Sequence, residues 1–422
     1  MIYLMKNVRV IMPLFYVIFI ISCDKETFDP KQQYVNLGLS PSANAEMGCS
    51  YLNWNPAADF RVDKCCFPDA AATNIDNGVL SQLHGDLRDA VAYMDMNNDG
   101  LTDIFMATGK FLSEEEVSCF VILKDPSDPN GSPEGWSYNS EPFDGNLPPA
   151  THARKTIKAD FNGDGLMDIL VLDHGFDSDP FPGNNPKLIL QDSAGHFSWQ
   201  RLTQRTGFHH CGASADIDHD GDQDVFVGGS DQFFLINDGN ANFQVATDRF
   251  DERITTTYTA EMRDVDQDGF VDLLVAGSEG ESLPGYIENE EPRILWGNSM
   301  GAYTLDESTL LPPVAGYGTT VDFDMEDIDN DGDIDLILNR TGGSDNFYQG
   351  IRVQLLTNEG NRMFIDASSN IDNPGTASDD WVTWLRVQDI DGDGDLDIFS
   401  DNLDGPASID LLNDGNGNFT RQ

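Results

Sequence analysis

Six stretches of the chain carry acidic side chains at the spacing a hard cation requires. A nine-residue pattern, D-x-D/N-x-D-G-x-x-D, begins at Asp95, Asp160, Asp216, Asp264, Asp327 and Asp389. Side-chain oxygens at its first, third, fifth and ninth positions alternate around a turn, and a backbone carbonyl at the seventh can join them; several oxygens at flexible geometry are what Ca2+ takes. The candidate ligands are Asp95, Asn97, Asp99 and Asp103; Asp160, Asn162, Asp164 and Asp168; Asp216, Asp218, Asp220 and Asp224; Asp264, Asp266, Asp268 and Asp272; Asp327, Asp329, Asp331 and Asp335; and Asp389, Asp391, Asp393 and Asp397. Carboxylates this close repel one another unless a cation sits among them, so about six calcium sites are expected. Asn97 and Asn162 replace an acid at the third position, which lowers the charge of the first two sites. The sixth position is glycine in every copy, as a sharp turn needs.

An EF-hand loop starts the same way but ends in a bidentate Glu at position 12, between helices. Here position 12 is Met106, Val171, Val227, Val275, Leu338 or Ser400, and the flanks favour strands, so the EF-hand is excluded. Dockerin modules continue into helix and fail for the same reason.

The elements that position these loops follow from the spacing. Successive copies begin 65, 56, 48, 63 and 62 residues apart, about one four-stranded propeller blade with variable loops. Each copy runs into a short β-favouring segment, such as Ile169-Leu170-Val171 or Leu273-Leu274-Val275. Most units add a tight turn before an aromatic residue, as in Asn237-Asp238-Gly239 before Phe243 and Asn413-Asp414-Gly415 before Phe419. Each unit therefore reads as strand, acidic loop, strand, loop, strand, hairpin turn, strand. The expected fold is an all-β propeller with six evident blades, calcium loops joining first and second strands, and a seventh blade left open.

On these motifs the chain resembles the FG-GAP or VCBS-type repeats, the calcium-loop β-propellers that include the integrin α-subunit head and some fungal and bacterial lectins. The resemblance covers residues 85–422 and implies that positions 1, 3, 5 and 9 are ligands. Six clear units, against seven in integrin heads, leave ring closure open. Residues 32–83 lack the loop pattern and read as a degenerate blade, a cap or a stalk.

Composition sets the limits on partners. Asp and Glu total 73 against 24 Lys and Arg, a formal charge of −49, which excludes nucleic acid and repels an anionic membrane surface. A hydrophobic content of 39% with 10% aromatic residues places the chain among folded proteins. Lys6 and Arg9 precede a 12-residue apolar stretch, Val10 to Ile21, too short to span a bilayer and laid out as a secretory signal. It ends in Ile20-Ile21-Ser22-Cys23, which resembles a bacterial lipobox. Residues 1–22 are thus expected to be a signal peptide, Cys23 the lipidated residue, 23–84 a tether with a cap or degenerate blade, and 85–422 the propeller. The expected location is the cell envelope, lipid-anchored at the outer membrane and surface-exposed, with the lipid as the only membrane contact. Five cysteines remain, Cys49, Cys65, Cys66, Cys119 and Cys211; an odd number leaves at least one thiol free or paired between chains, and a bridge from Cys49 to Cys65 or Cys66 is open.

Function is expected on the face opposite the acidic loops, where the second-to-third-strand loops and the links between units gather. The long insertions there run from Asp173 to Asn185 and from Gly277 to Glu291. His152, His174, His209 and His210 are candidates for one cluster capable of acid/base or transition-metal chemistry. Trp381 and Trp384, with Tyr258 and Tyr317, are candidates for stacking on sugar faces. The leading expectation is a non-enzymatic surface module for a glycan or a protein, with calcium structural; the alternative is an envelope polysaccharide lyase or hydrolase using the histidines. Asn339-Arg340-Thr341 matches a glycosylation sequon and reads as a turn.

Overall fold

A short apolar run with no polar alternation must be buried on both faces, and this decides how the repeats assemble. The structure, a computed structural model, describes residues 87–422 apart from 102, 111–112, 125–135, 179, 204, 230–231, 251–256, 278–291, 343–349, 380–381, 383–384 and 401–408. The signal segment, Cys23, residues 24–84 with Cys49, Cys65 and Cys66, the insertion at 278–291, Trp381 and Trp384 lie outside the described residues.

Among the described residues, six four-stranded antiparallel sheets follow one another, each a simple meander. The first holds β1 (Leu87–Met94), β2 (Asp103–Gly109) and, beyond the short β3 (Val117–Ser118), β4 (Phe120–Lys124) and β5 (Trp136–Tyr138). β3 pairs with β6 (Pro149–Ala150) at the join to the second sheet. That sheet is β7 (Ala153–Ala159), β8 (Asp168–Asp173), β9 (Lys187–Gln191) and β10 (Phe197–Arg201). The third is β11 (His209–Ala215), β12 (Asp224–Gly229), β13 (Phe233–Ile236) and β14 (Gln244–Ala246). The fourth is β15 (Thr257–Arg263), β16 (Asp272–Gly277), β17 (Arg293–Leu295) and β18 (Ser308–Leu310). The fifth is β19 (Thr319–Glu326), β20 (Asp335–Thr341), β21 (Arg352–Asn358) and β22 (Phe364–Asp366), and the sixth β23 (Leu385–Gln388), β24 (Asp397–Ser400), β25 (Asp410–Asn413) and β26 (Phe419–Arg421).

The second strands of the four middle sheets, β8, β12, β16 and β20, alternate between two cores. In β8, Ile169 and Val171 pack with Phe105 and Val121 of the first sheet, while Leu170 and Leu172 pack with Val225 and Val227 of the third. In β16, Leu273 and Val275 face Phe226 and Phe234 of the third sheet, and Leu274 and Ala276 face Leu336 and Leu338 of the fifth. Ile337 then looks toward Ile398 and Leu411 of the sixth. Each sheet is thus stacked face to face on its neighbours, and the first strands β1, β7, β11, β15, β19 and β23 lie side by side in chain order. This is a propeller-like repeat arrangement, and it explains why the second strands read as unbroken apolar runs.

A polar bridge reinforces three of the stacks. Asn237, at the end of β13, donates its side-chain amide to Phe161 O in the preceding unit's acidic loop at 2.8 Å, and Asn413 does the same to Ile328 O at 2.9 Å. Asn358 reaches Val265 O at 3.5 Å. The gripped residue is always the second of its loop, and it is apolar in all six copies: Met96, Phe161, Ile217, Val265, Ile328 and Ile390. The first five of these side chains are buried, so five of the loops are plugged into the core at the position next to the first carboxylate.

One sequence reading changes, and one left open is decided. Asn339, Arg340 and Thr341 are not a turn but the fully buried end of β20, where Arg340 donates to Gln354 Oε1 at 2.7 Å and to the carbonyls of Tyr317 and Pro312. A central strand with partners for a guanidinium can hold one, which local composition does not reveal. Cys119 and Cys211 are both free and buried, and burial pushes each thiol up to about 12.

The bridges are testable. Asn237→Ala leaves the carbonyl of Gln223 without its side-chain donor and weakens the grip on Phe161. Urea denaturation should show a loss of about 2 kcal/mol, while Asn240→Ala, exposed on the same turn, should stay within about 0.5 kcal/mol.

Candidate functional site

The six acidic loops share one backbone path. Position 6 is glycine with φ between 85° and 102°, and position 4 is also left-handed in each copy, occupied by Asn98, Gly163, His219, Gln267, Asn330 and Gly392. These two residues fold the loop back on its own carboxylates. Asp95 accepts from Asp99 N (3.1 Å) and Gly100 N (2.8 Å), and Asp216 from Asp220 N (3.1 Å) and Gly221 N (3.0 Å). Position 5 turns back to its own loop, as Asp99 Oδ1 accepts from Leu101 N at 2.8 Å.

Position 9 is the root of the loop. It is the first residue of the second strand, it is buried, and its two oxygens each hold a different segment. Asp272 accepts from Val265 N at 2.8 Å and from Gly297 N, beyond β17, at 2.8 Å. Asp103, Asp168, Asp224, Asp335 and Asp397 make the corresponding pair, to the second loop residue and to the end of the third strand. Burial, opposed by these N–H donors and helped by neighbouring loop aspartates, pushes Asp103, Asp168, Asp224 and Asp272 up to about 7 and Asp335 and Asp397 up to about 6.

In four loops the first, third and ninth carboxylates converge, with one oxygen from each within 4.8 Å of the others: Asp216, Asp218 and Asp224; Asp264, Asp266 and Asp272; Asp327, Asp329 and Asp335; Asp389, Asp391 and Asp397. These groups can hold a metal ion, and an all-oxygen donor set suits a hard cation. In the loops at Asp95 and Asp160 the third position is an asparagine, and Asn97 Oδ1 and Asn162 Oδ1 each accept from the fifth-position N–H at 3.0 Å. The loop at Asp264 also meets a protein cation: Arg362 of the fifth sheet donates to Asp266 at 2.5 Å and Asp268 at 3.1 Å while lying over Trp296.

A second group forms at the other ends of the strands, around the loop after β8 and the entries to β7 and β11. His152 and His174 have ring centroids 4.0 Å apart, His174 stacks on Phe208 at 4.2 Å, and His210 lies 6.0 Å from His174 and edge-on to Tyr258 at 5.1 Å. His209 is not part of it: its neighbour in a strand points the other way, and its ring packs at 5.5 Å against Phe233 in the core. A one-residue bulge opposite the Gly228–Gly229 step inserts His210 into β11, and another inserts Tyr258 into β15, which re-aims both side chains. Tyr317 lies elsewhere, with its carbonyl on Arg340.

Asp173 organises the histidines. Its Oδ1 accepts from His152 N (2.9 Å) and Gly175 N (3.0 Å), and its Oδ2 from Thr151 N (2.9 Å), Asn184 Nδ2 (3.1 Å) and Lys187 Nζ (2.5 Å). Burial works to raise its pKa, but the Lys187 charge and these donors outweigh it and hold the carboxyl below its ordinary value. The insertion is pressed onto the entry to β11 through bare backbone. Gly183 has φ +70°, and a Cβ there would come within 2.3 Å of Gly207. Burial first, then His152, Arg154 and His210, hold the His174 imidazole far below its ordinary value, so it is neutral. Phe181, also left-handed at φ 53°, stands 50% exposed at the rim with its ring edge-on to Phe208. Phe208, Asp177 and Lys187 had no sequence signal beyond proximity to the histidines.

Comparison with known proteins follows this geometry. The FG-GAP-like repeat profile matches four overlapping stretches, 160–227, 216–275, 264–338 and 327–400, each running from one acidic loop through the second strand of the next unit. The chain belongs to the FG-GAP-like repeat family. No curated protein matches the sequence. Among solved structures, BBS1N, crystallised with ARL6DN and soaked with lead, has 12% identity and a TM-score of 0.35, covering 78% of this chain and 90% of that one. The V. cholerae biofilm matrix protein Bap1 also has 12% identity and a TM-score of 0.35, covering 80% and 79%. At that distance neither likeness speaks to ligand or partner. No helix among the described residues is long and apolar enough to cross a membrane.

The raised carboxyls of the FG-GAP-like loops have a consequence for cation binding. Their folded values lie above the unfolded value of 3.8, so their contribution to stability is present at low pH and is lost as pH rises through about 6 to 7. A cation bound there would take the place of the proton. Calcium affinity should therefore weaken as pH falls from about 8 to 6, with protons released on binding. Calorimetry in buffers of different ionisation enthalpy reads both; a pH-independent affinity would contradict the assignment.

Proposed function

We propose that this protein is a calcium-stabilised, six-bladed propeller that recognises a glycan or a protein through the loop face opposite its acidic loops, without catalysis. The calcium reading is carried by one observation: the same three carboxylates converge in four successive units, rooted in a buried aspartate that a cation would neutralise. Asn97 and Asn162 complete the corresponding sets in the other two loops, giving about six sites.

Calcium acts structurally in this reading. It would bind between the first and second strands and hold shut the turn that the next unit's asparagine grips. At about millimolar calcium and dissociation constants of roughly 10 to 100 µM, each filled site adds about 1.4 to 2.7 kcal/mol.

Recognition is assigned to the other face because Phe181 is half exposed there, on a strained backbone held by close glycine contacts and beside an aromatic and histidine group. The formal charge of −49 favours a neutral sugar or a basic protein over an acidic ligand. A lyase or hydrolase centred on the histidines is the weaker reading, since His174 is only 1% exposed, with its ring stacked on Phe208. Residues 85–422 form the propeller in this reading, residues 23–84 a tether with a cap or degenerate blade, and lipid on Cys23, after removal of residues 1–22, holds the protein at the outer membrane surface. Lys6, Arg9, the apolar run to Ile21 and Cys23 support that last step.

Excess EDTA should lower the melting temperature by about 10 °C or more; an unmoved melting curve would sink the calcium reading. A glycan array probed with the calcium-loaded protein and with Phe181→Ala should show binding weakened at least about tenfold in the variant, at equal thermal stability.

A further inference from the structure

The histidine group contains a donor set unlike that of the acidic loops. One nitrogen each from His152 and His174 and one oxygen from Asp177 lie within 4.8 Å of one another. We propose that His152, His174 and Asp177 form a second metal site, for a divalent ion of the zinc class, at the opposite end of β8 from the calcium loop at Asp160.

The nitrogen of His174 that faces a metal can be assigned. Its Nδ1 lies 2.9 Å from Gly175 O, and a carbonyl only accepts, so Nδ1 carries the proton and Nε2 keeps the lone pair. A backbone carbonyl on the far ring nitrogen is the usual outer support of a metal-binding imidazole. His152 and His174 come from different segments, and Asp173 Oδ1 bonds to both backbones, at His152 N and Gly175 N. The stack on Phe208 restrains the His174 ring further. Asp177 is partly exposed on the same loop, leaving an open side.

Ligand atoms about 2.0 to 2.2 Å from a tetrahedral ion sit about 3.4 Å apart, so modest rotations of His152 and Asp177 close the set. Two imidazoles and one carboxylate suit zinc-class ions and leave positions open for water or for a donor from a bound ligand. Calcium, which takes oxygen ligands, would be rejected. The two kinds of site are therefore separable by chemistry, and this inference stands whether or not the loop face recognises a glycan or a protein.

The test titrates the full chain, in excess calcium, with Co2+ as a spectroscopic stand-in for zinc. A saturable visible d–d band displaced by Zn2+ is expected, with affinity reduced at least about tenfold in His152→Gln and in Asp177→Asn. The exposed His196→Gln and the acidic-loop variant Asp218→Asn should leave the band unchanged. Circular dichroism checks each fold; should His152→Gln fail to fold, Asp177→Asn on the partly exposed loop decides. Absence of the band in excess calcium, or its persistence in Asp177→Asn, would overturn the site.

Discussion

A carboxylate buried at the base of every acidic loop is the constraint on which the rest of the molecule depends. Asp272 and its five counterparts each join the start of a second strand, the second residue of the loop and the end of the third strand. A charge in that position is costly unless it meets a proton or a cation. The other loop aspartates, which crowd the same point in four of the loops, make the demand for positive charge local and repeated. Of the 73 acidic residues of the chain, 25 lie in these six turns.

From this root the architecture spreads in two directions. Along each sheet, the aspartate starts a strand whose alternate residues enter two different cores, as Leu273 and Leu274 do. Between sheets, the loop's apolar second residue is buried and its carbonyl is gripped by an asparagine of the next unit in three of the joins. Loop shape and sheet stacking thus act on the same few backbone atoms, and the FG-GAP-like repeat couples carboxylate groups that can hold a metal ion to the packing of its neighbours.

The far ends of the strands follow different rules. The bulges that insert His210 and Tyr258 recur at the same place in other first strands, at Arg154 and Val321, while the glycine contact of Gly183 with Gly207 and the buried Asp173–Lys187 pair build a local arrangement around the loop after β8. Rigidity at one face leaves the other free to vary, which is the usual division between a scaffold and the loops it carries. The half-exposed Phe181 and the paired histidines belong to that variable face.

Periodicity made the all-β class, the order of strands and the acidic loops legible in the residues alone, because a turn with fixed left-handed positions and a strand buried on both sides each demand particular side chains at particular offsets. The apolar second position and the left-handed fourth were visible as well, in residues such as Phe161 and Asn330, but their meaning needed the neighbouring sheet and the loop path. Tertiary structure alone decided that His210 joins His152 and His174 while His209 turns into the core, and that Arg340 is buried in a strand and not in a turn. Those outcomes depend on bulges, on contacts between residues far apart in the chain and on partners for buried charge, none of which leaves a local pattern to read.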